Sequence, residues 1–128
     1  MDFTNYLASK LVKGTVGGFS YPAPSKVYLA LLTQDPTKSG FTDSEVNQAS
    51  YTRKEVGFVV PADGVSSNEA KIEWGTATSN WGNVSFIGVL DSASSGFMLY
   101  FTALDNAKEI LSGDQFIIDV NKLKLTLT

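Results

Sequence analysis

Residues 74–104 read WGTATSNWGNVSFIGVLDSASSGFMLYFTAL and contain both tryptophans of the chain, each followed by a glycine. Two apolar runs, at 83–90 and 97–104, follow the second tryptophan, and the small-residue segment DSASSG separates them. Turn-forming residues between two runs with strand character predict a β-hairpin. We therefore expect a central hairpin here on which the other strands are laid, with Val84, Phe86, Gly88 and Leu90 on one face. The Trp-Gly pairs are expected to let a neighbouring backbone approach each indole closely.

Further strand patterns extend outward from this hairpin in both directions. Residues 26–33, KVYLALLT, are apolar on both faces, which is typical of a strand covered on two sides. The last segment, KLKLTLT at 122–128, alternates Leu123, Leu125 and Leu127 with polar residues, as in a strand with one face in water. Other strands are predicted at 51–60, 71–74, 109–111 and 115–120, turns at 61–64 and 105–108, and a polar connector at 65–68.

These seven or eight short strands, separated by frequent turns, define the expected fold class. We predict an all-β protein, an antiparallel β-sandwich of jelly-roll or Ig-like type, in a single domain spanning residues 1–128. Residues 1–14 are expected to form a helical N-terminal appendage to it.

Residues 4–13 have the spacing of a short helix. Phe3, Leu7 and Leu11 fall on one face, with Val12 beside them; Asp2 or Thr4 can serve as the N-cap and Gly14 as the stop. Because so short a helix is marginal alone, its apolar face must dock, either on its own sheet or on a neighbouring subunit.

Residues 34–50, QDPTKSGFTDSEVNQAS, form the longest stretch without strand character. A loop of this length is either functional or a plain surface excursion, and the pattern leaves both open.

The charge and composition of the chain exclude several classes of function. The 128 residues carry a net charge of −3, which disfavours nucleic-acid binding and polybasic membrane attachment. The absence of cysteine and histidine rules out thiolate or imidazole zinc sites and Ser–His–Asp or Cys–His nucleophiles. No signal peptide and no apolar run long enough to span a bilayer are recognisable. We expect no catalytic residue, no metal site and no cofactor.

Two residue sets could still suggest a site, and each has a simpler interpretation. Paired carboxylates, as in a glycosidase, could come from Asp91 with Asp105, or from Asp35 with Asp43 and Glu45. Most of them lie beside turn residues, where Asp caps its own backbone, and we favour that role.

A sugar-binding surface could come from aromatic side chains, but core packing is favoured for the tryptophans. The candidates are Trp74, Trp81, Tyr21, Tyr28, Tyr51 and Tyr100.

The order of motifs along the chain resembles a family of small tailed-bacteriophage virion proteins, labelled tail fibre or structural proteins. A short helix (FTNYLASKLV) precedes a proline-containing entry to a strand (YPAPSKVYLALLTQDP). A tyrosine-arginine patch (SYTRKEV), a W-G turn with a strand-turn-strand (WGNVSFIGVLDSASSGFMLYFTAL) and an SGD turn with an alternating tail (AKEILSGDQFIIDVNKLKLTLT) follow. The resemblance covers nearly the whole chain.

This resemblance implies a structural, non-enzymatic component of a bacteriophage virion, either decorating or cementing the capsid or forming part of the tail or fibre. Its partners would be other virion proteins, the major capsid protein or tail proteins, and further copies of itself, with a trimer favoured. The contacts are expected in residues 1–25 or in the loop 34–50. The alternative is a receptor- or glycan-binding module of a tail fibre.

Overall fold

The computed structural model describes residues 1–59 and 61–126, which form nine β-strands and one α-helix. This confirms the predicted all-β, sandwich-like fold with a short N-terminal helix. Two strands, β1 and β4, have no counterpart in the sequence prediction because two or three residues are too few to show a period. The elements are β1 (Asp2–Phe3), α1 (Asn5–Thr15), β2 (Val27–Leu32), β3 (Lys54–Val56), β4 (Val65–Ser67), β5 (Ile72–Thr76), β6 (Gly82–Leu90), β7 (Met98–Ile110), β8 (Gln115–Ile118) and β9 (Lys124–Thr126).

The β6–β7 hairpin is the centre of a five-stranded antiparallel sheet with the order β1-β7-β6-β2-β3. Its loop closes through two contacts: the Asp91 N–H donates to the Phe97 carbonyl at 3.1 Å, and the Phe97 N–H donates to Asp91 Oδ1 at 2.8 Å. The predicted central hairpin is therefore confirmed from residue 82 onward. Trp74 lies outside it, on β5.

Strand β2 is buried on both faces, as predicted. Leu29 and Leu31 belong to the main core, whereas Ala30 and Leu32 belong to a second apolar cluster on the opposite face. The sheet is therefore packed on two sides, and the second cluster is completed by Leu90, Met98, Phe101 and, partly buried, Phe86.

The second layer of the sandwich consists of two ladders, β5 with β8 and β4 with β9. The prediction of residues 65–68 as a connector was wrong, because Val65–Ser67 pair with the alternating tail. Within that tail Leu123 is buried in the main core between Lys122 and Lys124, which are exposed. The main core between the layers contains Leu29, Leu31, Val46, Val56, Ile72, Trp74, Ala77, Trp81, Val84, Ile87, Val89, Ile110, Phe116, Ile118 and Leu123.

Strand β7 is longer than predicted, because residues 105–108 continue the strand instead of turning. The register of β6 and β7 shifts between Val84 and Phe86: Val84 is paired with Lys108 and Phe86 with Ala103. This bulge accommodates the extra residues of β7. It also breaks the alternation on β6, so that Val84 joins the main core instead of sharing the face of Phe86 and Leu90.

Helix α1 packs on its own sheet. Thr4 is the N-cap, with its side-chain oxygen accepting from the Leu7 N–H at 3.3 Å, and Leu7 is buried against the fold. The same Thr4 hydroxyl donates to the Met98 carbonyl of β7 at 2.7 Å. The helix continues through Gly14 to Thr15, so it ends two residues later than predicted.

The backbone conformation explains why a glycine follows each tryptophan. Gly75 and Gly82 have φ of +72° and +96°, which side-chain-bearing residues adopt only with strain. A Cβ at Gly75 would meet no atom within 4 Å, and one at Gly82 would meet only Thr33 Cγ2 at 3.6 Å. The expected close backbone approach is therefore not the reason for these glycines.

Two sequence predictions extend beyond the described residues. The strand predicted at 51–60 appears as the shorter β3, with Phe58 in an isolated bridge to Asn68, and Val60 lies outside the described residues. Leu127 and Thr128 of the predicted last strand also lie outside them.

Candidate interaction surface

The two tryptophans are core residues, as favoured from the sequence. Trp74 is buried edge-on to the Phe116 ring at 5.4 Å, and Trp81 is buried edge-on to the Tyr51 ring at 5.5 Å. Neither indole face is available for stacking on a ligand. Among the other aromatic candidates, Tyr21, Tyr28 and Tyr100 are half-buried.

The candidate carboxylates Asp91 and Asp105 do not converge. Asp91 caps the hairpin loop, and Asp35 Oδ1 accepts from the Thr37 N–H at 2.8 Å, which is the turn-capping role favoured from the sequence. Asp105 lies on β7 seven residues beyond Met98, the partner of Leu90, so Asp91 and Asp105 are roughly 20 Å apart along the strand. That separation is too large for a carboxylate pair that acts on one bond.

Glu45 forms the most buried ion pair of the described residues. Arg53 donates to both Glu45 oxygens at 2.9 Å, and the pair is mostly shielded from solvent. Arg53 Nη1 also donates to the carbonyls of Ser92 and Ser95, at 2.9 and 2.7 Å. The arginine therefore holds the loop 34–50 against the β6–β7 hairpin loop.

Tyr51 extends this network into the sheet. Its hydroxyl donates to Glu45 Oε2 at 2.7 Å and accepts from the Leu31 N–H at 3.1 Å. Burial, together with the hydrogen bond to Glu45, raises the pKa of Tyr51 far above its usual value. The hydrogen bond to Glu45 likewise raises the pKa of Arg53. Both groups are therefore fixed in the protonated form, which suits a structural clamp.

The loop 34–50 is thereby shown to be largely part of the fold. Besides Glu45, it contributes Val46 to the main core, and Pro36 is fully buried. The Val46 N–H donates to the Leu31 carbonyl at 3.0 Å, which adds the loop to the edge of β2. Its exposed apolar residue is Phe41.

The largest exposed apolar side chains near the N-terminus form what we call the N-terminal apolar patch, Val12, Val16 and Phe19, which are 60%, 82% and 67% exposed. Val12 and Val16 are one helical turn apart, on a face that does not dock. The Phe19 N–H donates to the Lys13 carbonyl at 3.1 Å, so the chain folds back over the helix end and brings Phe19 to the same region. Val12, expected beside the docked face, therefore points to solvent instead.

Positive charge accompanies this patch. Residues 3–34 contain three lysines, Lys10, Lys13 and Lys26, and no carboxylate. Since the whole chain has a net charge of −3, residues 3–34 are at +3 and the rest of the chain is at −6. This charge asymmetry is visible in the sequence. The spacing of Val12, Val16 and Phe19, which places them away from the docked face of the helix, could have predicted the patch.

A groove of about 450 Å³ lies on another part of the surface, between β7 and β8. We call it the β7–β8 groove. Leu104 and Ile117 contribute apolar surface to it, with Ile117 40% exposed, while Asp105 lies on β7 and Asp119 directly follows β8. Lys122 and Lys124 also line the groove.

Within residues 1–59 and 61–126, no group of three or more carboxylates is close enough to hold a metal ion. In the same residues, no helix has the length and apolar character needed to cross a membrane.

Comparison with known proteins gives one family. A family model described as "Podophage GP4 fiber I protein gp80" matches residues 2–126, almost the entire chain. No curated protein matches the chain.

Proposed function

The chain belongs to the podophage GP4 fiber I protein family, and we propose that it acts in the fibre as a non-enzymatic structural subunit, held in place by protein–protein contacts at its N-terminal apolar patch. Membership of this family makes it a phage fibre-type structural protein of the virion. The proposal adds the surface through which it is held.

The observation that supports this proposal is the exposure of Val12, Val16 and Phe19 on a helix that is itself fixed to the sheet. Burying apolar surface is favourable by about 25 cal/mol per Å². A cluster of large apolar side chains at the surface therefore marks a site where another protein binds. Because Thr4 and Leu7 anchor the helix, the patch is presented in a defined position and little ordering is needed on binding.

The loop 34–50, the other segment expected to make contacts, supports the proposal less well. Most of its apolar surface is already buried in the subunit, and Glu45 is fully engaged with Arg53 and Tyr51. Phe41 is the exposed apolar residue that could still serve a partner, and it is 58% exposed.

The test is incorporation of variants into virions. A phage unable to make the protein is complemented with the wild type, with Val16→Asp or with Phe41→Asp, and the amount of protein per purified particle is measured by quantitative mass spectrometry. We expect Val16→Asp to reduce incorporation at least tenfold and Phe41→Asp to leave it unchanged. Normal incorporation of Val16→Asp, or absence of the wild-type protein from purified virions, would refute the proposal.

The receptor- or glycan-binding alternative has weaker support, because Trp74 and Trp81 are in the core. Of the aromatic candidates, the half-buried Tyr21, Tyr28 and Tyr100 are those on which a sugar could still stack. Binding on a glycan array that is lost in Tyr28→Ala would favour this alternative over a purely structural role.

A further inference from the structure

The exposed side of helix α1 combines the N-terminal apolar patch with positive charge on one flank. At 3.6 residues per turn, Ser9, Val12 and Val16 lie within about 60° of one another around the helix axis, away from the docked face. Lys13 lies about 60° further round on one side, and Lys10 follows it on that same side. The lysines therefore border the patch along one flank only.

These two lysines have no carboxylate partner in the part of the chain that the structure describes. Lys26 pairs with Glu55 at 3.3 Å, but Lys10 and Lys13 belong to none of the ion pairs there. The Lys10 ammonium lies 5.6 Å from the Tyr6 ring centre. Lys13 is exposed in the last turn of the helix, where a cation is favourable. That local role still leaves the Lys13 ammonium free to meet a carboxylate from outside the subunit.

A shallow depression of about 360 Å³ connects the apolar and the charged parts of this surface. It is lined by Ala8, Ser9, Val12 and Lys13. Because Ala8 and Ser9 have short side chains, an apolar side chain of a partner can contact the helix beside Val12. Neighbouring groups of the same partner then lie within reach of the Lys13 ammonium.

We propose that the N-terminal apolar patch binds a different virion protein, through a surface that is apolar and has carboxylates along one side that pair with Lys10 and Lys13. This inference rests on the proposed function, since it gives the chemistry of the partner that covers the patch. Burial of the patch supplies the favourable free energy of the contact. The ion pairs at its edge select the partner and fix its orientation.

Charge disfavours two other occupants of the patch. A two-fold contact of the patch with itself would bring the same lysines of two copies together, which is unfavourable. An anionic lipid surface would attract Lys10 and Lys13, but it would repel the rest of the chain, which is at −6 outside residues 3–34. A protein that presents carboxylates only opposite the two lysines avoids both repulsions.

Charge reversal of both lysines tests the proposal in the complementation assay that tests the proposed function. The test variant is Lys10→Glu with Lys13→Glu. The matched control is Lys122→Glu with Lys124→Glu, which changes the net charge equally at exposed lysines elsewhere. We expect the amount of test variant per virion to fall about tenfold, because each new glutamate would face a carboxylate of the partner, while the control stays at the wild-type amount. Circular dichroism and thermal unfolding verify that both proteins fold.

Cross-linking of wild-type virions gives a second measurement that needs no variant. A carbodiimide joins an ammonium and a carboxylate that are in direct contact into an amide, with loss of water. We expect mass spectrometry to find Lys10 or Lys13 linked to an Asp or Glu of another virion protein.

Three results would overturn the inference: wild-type incorporation of the test variant, cross-links from Lys10 and Lys13 only to peptides of this chain's own sequence, or binding to phosphatidylglycerol vesicles by the purified wild type but not by the test variant. Val16→Asp separates this inference from the proposed function. If Val16→Asp is lost from virions while the test variant is incorporated normally, only the acidic partner is refuted. If both are incorporated normally, the proposed function fails as well.

Discussion

The indole nitrogens of the two buried tryptophans have different surroundings. Trp81 Nε1 donates to the Ala49 carbonyl at 3.3 Å and so connects β6 to the end of the loop 34–50. Trp74 Nε1 is buried without a hydrogen-bond partner among the described residues. A buried donor without a partner lowers stability, whereas a paired one contributes about 1 kcal/mol.

This difference predicts unequal effects of the same substitution. Trp81→Phe should lower the free energy of unfolding by about 1 kcal/mol more than Trp74→Phe, because only the first change breaks a hydrogen bond. The two variants lose the same atoms, so each is the control for the other in urea denaturation followed by circular dichroism. A larger loss in Trp74→Phe would contradict the assigned roles.

Tyr51 makes the stability of the protein sensitive to high pH. Burial and the Glu45 hydrogen bond raise its pKa in the folded protein, whereas in the unfolded chain it titrates near about 10. The contribution of Tyr51 to the free energy of unfolding is therefore complete below pH 10. It is lost as the pH rises, because the unfolded chain then releases a proton that the folded protein keeps. The free energy of unfolding should fall by about 1.4 kcal/mol per pH unit above that point from this group alone.

Tyr51→Phe tests this dependence. The variant should be less stable at pH 7, because the hydroxyl bonds to Glu45 and Leu31 are lost, but its stability should fall less steeply between pH 10 and 11. Tyr100→Phe is the comparison, because burial alone raises the pKa of Tyr100 and no carboxylate contributes. If the free energy of unfolding falls equally steeply with pH in the wild type and in Tyr51→Phe, then Tyr51 does not cause the loss of stability at high pH.

At the scale of elements, Thr4 joins α1 to β7 through its hydroxyl and through its N–H, which donates to the Leu99 carbonyl at 2.9 Å. Thr4 caps the helix through Leu7 and donates to Met98 of β7, and it is itself 1% exposed. The adjoining strand β1 has only two paired residues, Asp2 with Phe101 and Phe3 with Tyr100. The hydroxyl therefore contributes a large share of the polar contacts that hold this short segment.

Thr4→Val keeps the volume of the side chain and removes the hydroxyl. It should cost about 2 kcal/mol, because a helix cap is lost and the Met98 carbonyl loses its donor. Thr4→Ser, which retains the hydroxyl, should lose less than half as much. Urea denaturation compares the three proteins, and a Thr4→Val protein as stable as Thr4→Ser would contradict the role of the hydroxyl.

The elements also show which features a sequence can predict here and why others escape it. The hairpin at 82–104, the two-sided strand β2 and the capped helix α1 follow from local patterns that the tertiary structure reinforces. Asp105 and Asn106 look like turn residues, yet they continue β7, because a bulge opposite Val84 absorbs the extra residues. The role of Glu45 could not be predicted, since its partner Arg53 is held by the Ser92 and Ser95 carbonyls, which only the folded sheet brings there.

At the scale of the whole molecule, the opposite net charges of residues 3–34 and of the rest of the chain give the contact proposed for the N-terminal apolar patch a dependence on salt. Lys13 is exposed, so salt screens its charge; the screening length falls from about 10 Å at 0.1 M to about 3 Å at 1 M. Assembly should therefore weaken severalfold over this range, although the apolar contact of Phe19 and Val16 remains.

Lys13→Glu tests the contribution of this charge without a change in salt concentration. It should weaken assembly at 0.1 M and leave the stability of the subunit nearly unchanged, because Lys13 is fully on the surface. The amount of the variant per purified virion, measured by quantitative mass spectrometry, checks this expectation. A Lys13→Glu protein that assembles like the wild type would show that the charges contribute nothing to the contact.

The anchoring of the helix has a mechanical consequence. A pull on the N-terminal apolar patch reaches the body of the subunit through the Thr4 hydroxyl and N–H, which donate to β7, and through the Asn5 N–H, which donates to the Lys38 carbonyl at 2.7 Å. Arg53 joins the loop that contains Lys38 to the loop that precedes β7, so both routes meet at the central hairpin. Tension on a fibre would thus be shared between a strand inside the sheet and a clamped loop, and the helix could not be peeled away one bond at a time.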